Sequence, residues 1–199
     1  MPYDVKKDLK RLYSPKNTDW ALLDVPEQQF LAIDGRGNPN TAESYRKAVE
    51  ALYAFAYTIK MTAKHAGEDF VVGPLEGLWW ADDYAAFTVR AKDSWQWTML
   101  ISLPGHLGED AVEEAREAVR RKKKIDPPVR LEKLHEGRCA QALHIGPYDD
   151  EGPLLARLHD EFLAEHGLKE TGLHHEIYLG DPRRTEPAKL KTVLRQPVA

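Results

Sequence analysis

The chain has 199 residues, of which 42% are hydrophobic, so it can bury the core of one sizeable domain or of two small, closely packed ones. Its 28 basic and 32 acidic residues leave a net charge of −4, which argues against a dedicated nucleic-acid binder. The single cysteine, Cys139, excludes a disulfide within the chain and fits a reducing compartment.

Targeting signals are not evident in the sequence. The charged N-terminus lacks the apolar core of a signal peptide, and no segment approaches the ~20 apolar residues of a membrane span. We therefore expect a cytoplasmic protein that binds neither nucleic acid nor membrane. The basic run at 120–124 ends a helix-like stretch, where cations interact favourably with the helix dipole. We interpret it as a solvated helix end, with a binding patch as the alternative.

The hydrophobic pattern predicts an N-terminal arm and then two series of strands and helices. The polar residues 1–18 form the arm. The first series has strands at 20–25, 30–34, 71–80, 84–90 and 95–103, and a helix at 41–64 for which Thr41 is a suitable N-cap. A helix at 109–123 connects the two series. The second series has strands at 129–134, 139–145, 174–179 and 190–195, and a helix at 152–166.

Both series contain the order strand, strand, loop, helix, strand, strand, and short stretches recur at equivalent places. The end of one early strand, at 33–35, resembles the end of another at 144–146. The predicted fold class is therefore α+β, built from two similar modules that each combine strands with a helix. Residues 19–199 form a single domain in this prediction, with module one at about 19–107, the connecting helix at 109–124 and module two at about 128–199.

The strand at 174–179 carries the strongest candidate for a site. Side chains alternate between the faces of a strand, so Ile177 and Leu179 are expected to pack on the helix at 152–166 and to leave Glu176 and Tyr178 facing a groove between the modules. A carboxylate among aromatic rings either pairs with a cation or acts as a base. The alternative is a solvent-facing glutamate beside a strand tyrosine.

The first series supplies comparable residues. Glu76 shares a strand face with Trp80, whereas Trp79 points the other way, so one tryptophan is expected in the core and one in the groove. Trp97 lies on an aromatic face of the next strand. Aromatic faces bind flat rings and cations, although structural packing is the alternative role for each tryptophan.

Other motifs are weak. The loop at 35–40 follows a strand and precedes a helix, but it lacks the third glycine of a dinucleotide site. The adjacent His174 and His175 diverge on a strand and cannot share a metal ion. We therefore expect no metal and no cofactor, and we interpret Cys139 as a buried, inert thiol.

The stretch His144-Ile145-Gly146-Pro147-Tyr148, and after a helix the stretch HEIYLGDPRRT at 175–185, resemble the GyrI-like family, which includes the drug-sensing effector domain of the BmrR regulator. The stretch PLEGLWW at 74–80 is similar to stand-alone members. The resemblance implies two strand–helix–strand–strand modules in a pseudo-two-fold duplication with a central ligand cleft between them. It also implies that Glu176 lies in the cleft, with tyrosines and tryptophans around it. The predicted ligand-binding set is Glu176, Tyr178, Tyr148, Trp79, Trp80, Glu76, Trp97 and Tyr45.

Two functions follow from the resemblance. One is binding of bulky, flat, hydrophobic or cationic small molecules, for drug sensing or sequestration. The other is hydrolysis of the electrophilic cyclopropane rings of DNA-alkylating natural products, with Glu176 and Tyr148 as the catalytic residues. Gyrase interaction is suggested by the family name alone, and the approximately 18 residues before the first strand are too few for a DNA-binding module.

Overall fold

The structure is a computed structural model that describes residues 2–82 and 91–199. The hairpin strand predicted at 84–90 lies outside the described residues. In the first half, the helices and strands are α1 (Val5–Asp8), α2 (Lys10–Tyr13), β1 (Ala21–Val25), β2 (Gln28–Arg36), α3 (Glu43–His65), β3 (Leu75–Trp80) and β4 (Gln96–Ser102).

The second half begins with the long helix α4 (Glu109–Lys123), whose bounds agree with the sequence prediction. The strands that follow are β5 (Arg130–Leu134), β6 (Gly137–Ile145), β7 (His174–Tyr178) and β8 (Lys191–Pro197). Between β6 and β7, helix α5 (Gly152–Arg157) continues through a π-helical segment, Leu158–Phe162, into the last turn, α6 (Leu163–Glu165).

The eight strands of the described residues form one antiparallel sheet in the order β1-β6-β8-β7-β3-β4-β2-β5. Strands β3 and β7 pair at its centre, where Gly77 lies opposite Glu176. The α+β prediction is confirmed. Exchanging β1, β2, β3 and β4 with β5, β6, β7 and β8 gives the same order read from the opposite edge of the sheet, as two equivalent halves would require, but the duplication itself stays a prediction. The halves share one continuous sheet rather than two adjacent sheets.

One face of the sheet carries the long helices. Helix α3 presents apolar residues at helical spacing, among them Leu52, Phe55 and Ile59, and these pack on Leu31 and Met99 in one buried cluster that also takes in α4. On the other half, Leu154 of α5 and Leu158 of the π-helical segment that follows it pack on Ala142 and Leu194. Both helical layers lie on the same face, with the central strands β3 and β7 between them.

The opposite face is covered by the N-terminal arm. Although the arm was predicted only as polar, Val5, Leu12 and Tyr13 are buried there, against Ile177 and Val193. Apolar burial therefore makes the arm part of the core. This packing also corrects the predicted partner of the helix at 152–166, because Ile177 and Leu179 pack under the arm rather than on that helix.

Helix α3 begins at Glu43, and its N-cap is Ala42 rather than the predicted Thr41. No side chain caps the helix, because Thr41 belongs to a preceding turn closed by the Asn38 carbonyl. Across residues 2–82 and 91–199, no helix has both the length and the apolar character needed to cross a bilayer.

Candidate ligand-binding cleft

A cleft of about 1670 Å³ lies over the centre of the sheet, between α3 and the chain around Tyr148. Pockets for small ligands are commonly about 300–1,000 Å³, so this cleft has room for a bulky molecule. The helices leave this space because α3 packs on one half of the sheet and α5 on the other. Among the described residues, seven tyrosine and tryptophan side chains line the cleft: Tyr45, Tyr53, Tyr57, Trp79, Trp95, Tyr148 and Tyr178.

The floor of the cleft is formed by three polar side chains of β7. His174, Glu176 and Tyr178 alternate with buried residues and therefore all face the cleft. Tyr178 donates a hydrogen bond from its hydroxyl to Glu176 Oε2 at 2.6 Å, and His174 Nε2 lies 3.3 Å from Glu176 Oε1. The Glu176 side chain is only 16% exposed. Within the part of the chain that the structure describes, Tyr178 and His174 are thus the polar neighbours of the two carboxylate oxygens, in a largely desolvated site.

Trp79 completes this group from the neighbouring strand. Its indole Nε1–H donates to the Tyr178 hydroxyl oxygen at 2.9 Å. The indole lies over Gly77, where a Cβ atom would be 2.7 Å from Trp79 Nε1, closer than real Cβ contacts allow. Glycine at position 77 is therefore needed for the indole to reach Tyr178. The hydrogen bond from the indole to the Tyr178 oxygen in turn directs the Tyr178 hydroxyl proton towards Glu176.

Aromatic rings form the walls. Tyr45 stacks on Trp79, with ring centroids 6.3 Å apart and an interplanar angle of 29°, and Trp95 meets Trp79 edge-on at 5.7 Å. Tyr148 meets Tyr178 edge-on at 5.5 Å. Such surfaces bind flat ring systems and cations through dispersion and the ring quadrupole.

The tyrosine hydroxyls near the acid remain protonated at neutral pH. Burial and the carboxylates of Glu151 and Glu176 raise the pKa of Tyr148 to about 12. Burial and the charge of Glu176 raise the pKa of Tyr178 and Tyr45 still further. These phenols can therefore donate hydrogen bonds to a ligand or to a neighbouring carboxylate.

The rim of the cleft carries paired charges. Lys92 Nζ lies 3.1 Å from Asp149 Oδ1 and above the Trp95 ring, which links two distant segments across the mouth. Arg183 pairs with Asp181 at 2.9 Å. These rim pairs are compensated. Among the described residues, Glu176 and Glu151, which is 6% exposed, are acids that lie deeper in the lining of the cleft.

The structure brings five of the eight predicted ligand-binding residues to the cleft: Glu176, Tyr178, Tyr148, Trp79 and Tyr45. It does not bring the other three. Trp80 is partly exposed and does not line the cleft. Trp97 is 1% exposed and lies beneath Tyr45. The Trp97 ring is so close to Gly35 that no side chain would fit at position 35.

Glu76 is the third, and it points to the other face of the sheet, where it is completely buried. It accepts a hydrogen bond from the Tyr13 hydroxyl at 2.9 Å and lies 3.0 Å from His175 Nε2. His175 Nδ1 contacts Glu136 Oε1 at 2.9 Å, and Glu136 Oε2 accepts from Arg195 at 2.7 Å. The two acids and two bases form a buried, compensated cluster behind the cleft.

The ionisation of this cluster is set by its pairs. Burial alone would lower the pKa of His175, but Glu136 and Glu76 outweigh it and raise the pKa to about 9. Burial alone would raise the pKa of Glu136, but His175 and Arg195 lower it. The imidazolium form of His175 is therefore part of the folded structure at neutral pH.

Sequence reasoning missed several cleft residues. Alternation places His174 on the same strand face as Glu176, yet the sequence prediction gives it no role in ligand binding. Glu151 and Trp95 were not predicted. Glu151 lies three residues after Tyr148, and this proximity to a predicted site residue was the available signal.

Known proteins resemble this chain in both sequence and fold. Residues 19–199 match the family described as the GyrI-like small molecule binding domain. An uncharacterized conserved protein of Listeria innocua is 41% identical, with 99% of this chain and 100% of that chain covered and a TM-score of 0.91. No curated protein matches the chain.

Two further structures are informative. A protein described as a hydrolase from Listeria innocua is 41% identical, with 99% of this chain and 100% of that chain covered and a TM-score of 0.86. The C-terminal domain of EcmrR is 13% identical, with 91% and 97% of the two chains covered and a TM-score of 0.57, which is a likeness of fold alone.

Proposed function

The chain belongs to the GyrI-like small-molecule-binding family, and on that premise we propose that its cleft binds bulky, flat molecules that are hydrophobic or cationic. The observation that carries the proposal is Glu176, 16% exposed at the floor of an aromatic cleft, with no basic side chain of lysine or arginine paired to it among the described residues. A desolvated carboxylate of this kind favours a cationic partner, and the surrounding rings add stacking surface.

Sensing or sequestration of such molecules is the biological role that we propose for this binding. The cleft volume of about 1670 Å³ and the variety of its aromatic walls suit several ligand shapes better than one. We expect affinity to depend on charge and planarity more than on individual hydrogen bonds.

Titration with the permanent cation 10-methylacridinium, followed by quenching of tryptophan fluorescence, tests the proposal. Wild type is expected to bind with a Kd below 100 μM, or about −5.5 kcal/mol. Glu176→Gln is expected to weaken binding about tenfold or more, because the carboxylate charge is lost. The matched control Glu186→Gln removes an exposed acid and is expected to leave the Kd unchanged. Absence of binding by wild type would contradict the proposal.

A second candidate function is favoured by one specific finding, the 41% identity to a protein described as a hydrolase. We propose as the alternative that the cleft hydrolyses electrophilic cyclopropane rings in DNA-alkylating natural products. Glu176 would take a proton from water, and the water oxygen would bond to a ring carbon. As the carbon–carbon bond breaks, its electron pair moves to the conjugated carbonyl oxygen, which ends as a hydroxyl by accepting a proton.

Tyr148 would assist this reaction by donating a hydrogen bond to that carbonyl oxygen as negative charge develops on it. Its raised pKa keeps the phenol protonated for this role. Tyr178 is less suited, because its proton already points to Glu176.

Mass spectrometry of a cyclopropane-bearing alkylator incubated with the protein separates turnover from binding. Hydrolysis requires a product heavier by one water. Glu176→Gln is expected to abolish turnover and Tyr148→Phe to reduce it, whereas Glu186→Gln is expected to retain it. Binding without a water adduct would support the sensing role and remove the hydrolase.

A further inference from the structure

His174 is a titratable side chain of the cleft to which the proposed function gives no role. It lies on the same face of β7 as Glu176, its side chain is 18% exposed, and its Nε2 lies 3.3 Å from Glu176 Oε1. Considering residues 2–82 and 91–199, that buried Nε2 has no hydrogen-bond partner. The two side chains are therefore close but not hydrogen-bonded, so whether His174 pairs with Glu176 depends on the charge of the imidazole.

We propose that His174 determines the charge class of ligand that the cleft accepts, an inference that rests on the proposed binding function. As a neutral imidazole, His174 leaves the Glu176 carboxylate to pair with a cationic ligand. As an imidazolium, it pairs with Glu176 itself and leaves a cleft that favours neutral aromatic ligands.

Electrostatics gives the reason. Tyr178 already satisfies Glu176 Oε2, so Oε1 is the oxygen that a cationic ligand and His174 share as neighbours. An imidazolium at 3.3 Å cancels the carboxylate charge in a site where neither group is well solvated. Proton binding to His174 and cation binding to the cleft therefore compete, and by linkage each weakens the other.

The other groups facing this region do not produce the same effect. Burial and nearby carboxylates keep Tyr148, Tyr178 and Tyr45 protonated through the neutral range. Charged pairs of the described lining are Lys92 with Asp149, Arg183 with Asp181 and Arg46 with Glu50, and Glu43 pairs with Lys47. Lys6, Lys122 and Lys123 are exposed residues of the lining, and Glu151 is a second largely buried acid.

The effect of protonating His159 must be distinguished from the effect of protonating His174. His159 Nδ1 lies 3.1 Å from Glu170 Oε1, and the His159 hydrogen bond, together with the charges of His159 and His174, lowers the pKa of Glu170. Because the carboxylate partner of His159 is Glu170 rather than Glu176, its protonation is expected to leave ligand choice unchanged.

A matched pair of probes tests the inference, namely the cation 10-methylacridinium and the neutral 9-anthracenemethanol, which share a three-ring plane. Imidazole side chains ordinarily titrate near 6.5. Between pH 8 and pH 5.5, the wild-type Kd for the cation is expected to rise about five- to tenfold. The Kd for the neutral probe is expected to change less than twofold.

Variants assign the effect to the residue. His174→Gln is expected to hold the cation Kd constant within about twofold over the same range, whereas His159→Gln and the distant control His106→Gln are expected to keep the wild-type pH dependence. A wild-type cation Kd that does not change with pH would overturn the inference, as would a pH dependence that survives in His174→Gln.

The wild-type comparison of the two probes does not depend on any variant folding. If neither probe binds wild type at pH 8, the proposed binding function fails. If the cation binds at pH 8 with an affinity independent of pH, the binding function stands and the role of His174 fails.

Discussion

The Tyr178 hydroxyl donates a hydrogen bond to Glu176 Oε2, with 2.6 Å between the two oxygens, from a position two residues along the same face of β7. The same hydroxyl oxygen accepts the indole N–H of Trp79 at 2.9 Å. Both contacts orient one proton, so Tyr178 stabilises the carboxylate rather than presenting a donor to the ligand.

Replacement of Tyr178 by phenylalanine is expected to destabilise the fold. The change removes one hydrogen bond to a charged group and leaves the Trp79 N–H without its acceptor, which costs about 1–3 kcal/mol. Urea unfolding at pH 7 measures the free energy. Tyr57→Phe, at a residue 54% exposed, is expected to stay within about 0.5 kcal/mol of wild type. Equal stabilities for the two variants would show that the Tyr178 hydroxyl contributes nothing.

Gly77→Ala is expected to weaken ligand binding. The new methyl group would sit 2.7 Å from Trp79 Nε1 and would displace the indole from the cleft floor. We expect the 10-methylacridinium Kd to rise about tenfold, or about 1.4 kcal/mol. Gly105→Ala is the control, since a Cβ there meets no atom within 4 Å. Unchanged affinity in Gly77→Ala would mean that the indole position is immaterial to binding.

Tyr13→Phe tests the cluster behind the cleft. Tyr13 is completely buried, and its hydroxyl donates to Glu76 Oε1 and accepts from Gln28. Its loss leaves a buried carboxylate oxygen without a donor, so the free energy of unfolding is expected to fall by about 1–3 kcal/mol. The acridinium Kd is expected to change less than twofold at temperatures where the variant is folded. Lost binding with unchanged stability would place Tyr13 in the ligand site instead.

The stability of the protein is expected to decrease at alkaline pH because of His175. Its pKa is raised in the folded state, so the stabilisation is complete below about 6.5, the ordinary value of an unfolded histidine, and is lost as pH rises through about 9. We expect the free energy of unfolding, measured in urea at pH 6, 7.5 and 9, to fall by about 2–3 kcal/mol over this window.

Glu136→Gln is the matched variant for this pH series. It removes one of the carboxylates that raise the pKa of His175, so a flatter dependence between pH 6 and pH 9 is expected. A slope as steep as that of wild type would show that the alkaline loss arises elsewhere. Glu136 itself acts in the opposite direction: its pKa is lowered, so its contribution is present above about 4.5 and is lost in acid.

Several elements were predictable because their pattern is local. Helix α4 was predicted with its observed bounds, since its apolar positions recur at helical spacing and acidic and basic residues mark its two ends. The family was recognised from the two stretches around Tyr148 and Glu176. Which residues share a strand face also follows from alternation, so His174, Glu176 and Tyr178 had to lie together.

The sequence near each strand does not show which face of that strand meets the ligand. Glu76 and Glu176 are both strand glutamates beside aromatic residues, and the sequence alone placed both in the cleft. Their strands pair in a register that sets Gly77 opposite Glu176 and Glu76 opposite Ile177, which sends the two acids to opposite faces of one sheet.

The amino-acid sequence by itself determined helix α4, the family and the strand faces, because these depend on neighbours a few residues apart. Only the tertiary structure decided that the helices cover the Glu176 face and the N-terminal arm covers the Glu76 face. The physical reason is that burial of a whole face depends on apolar partners from distant segments, here Tyr13 on one side and α3 on the other.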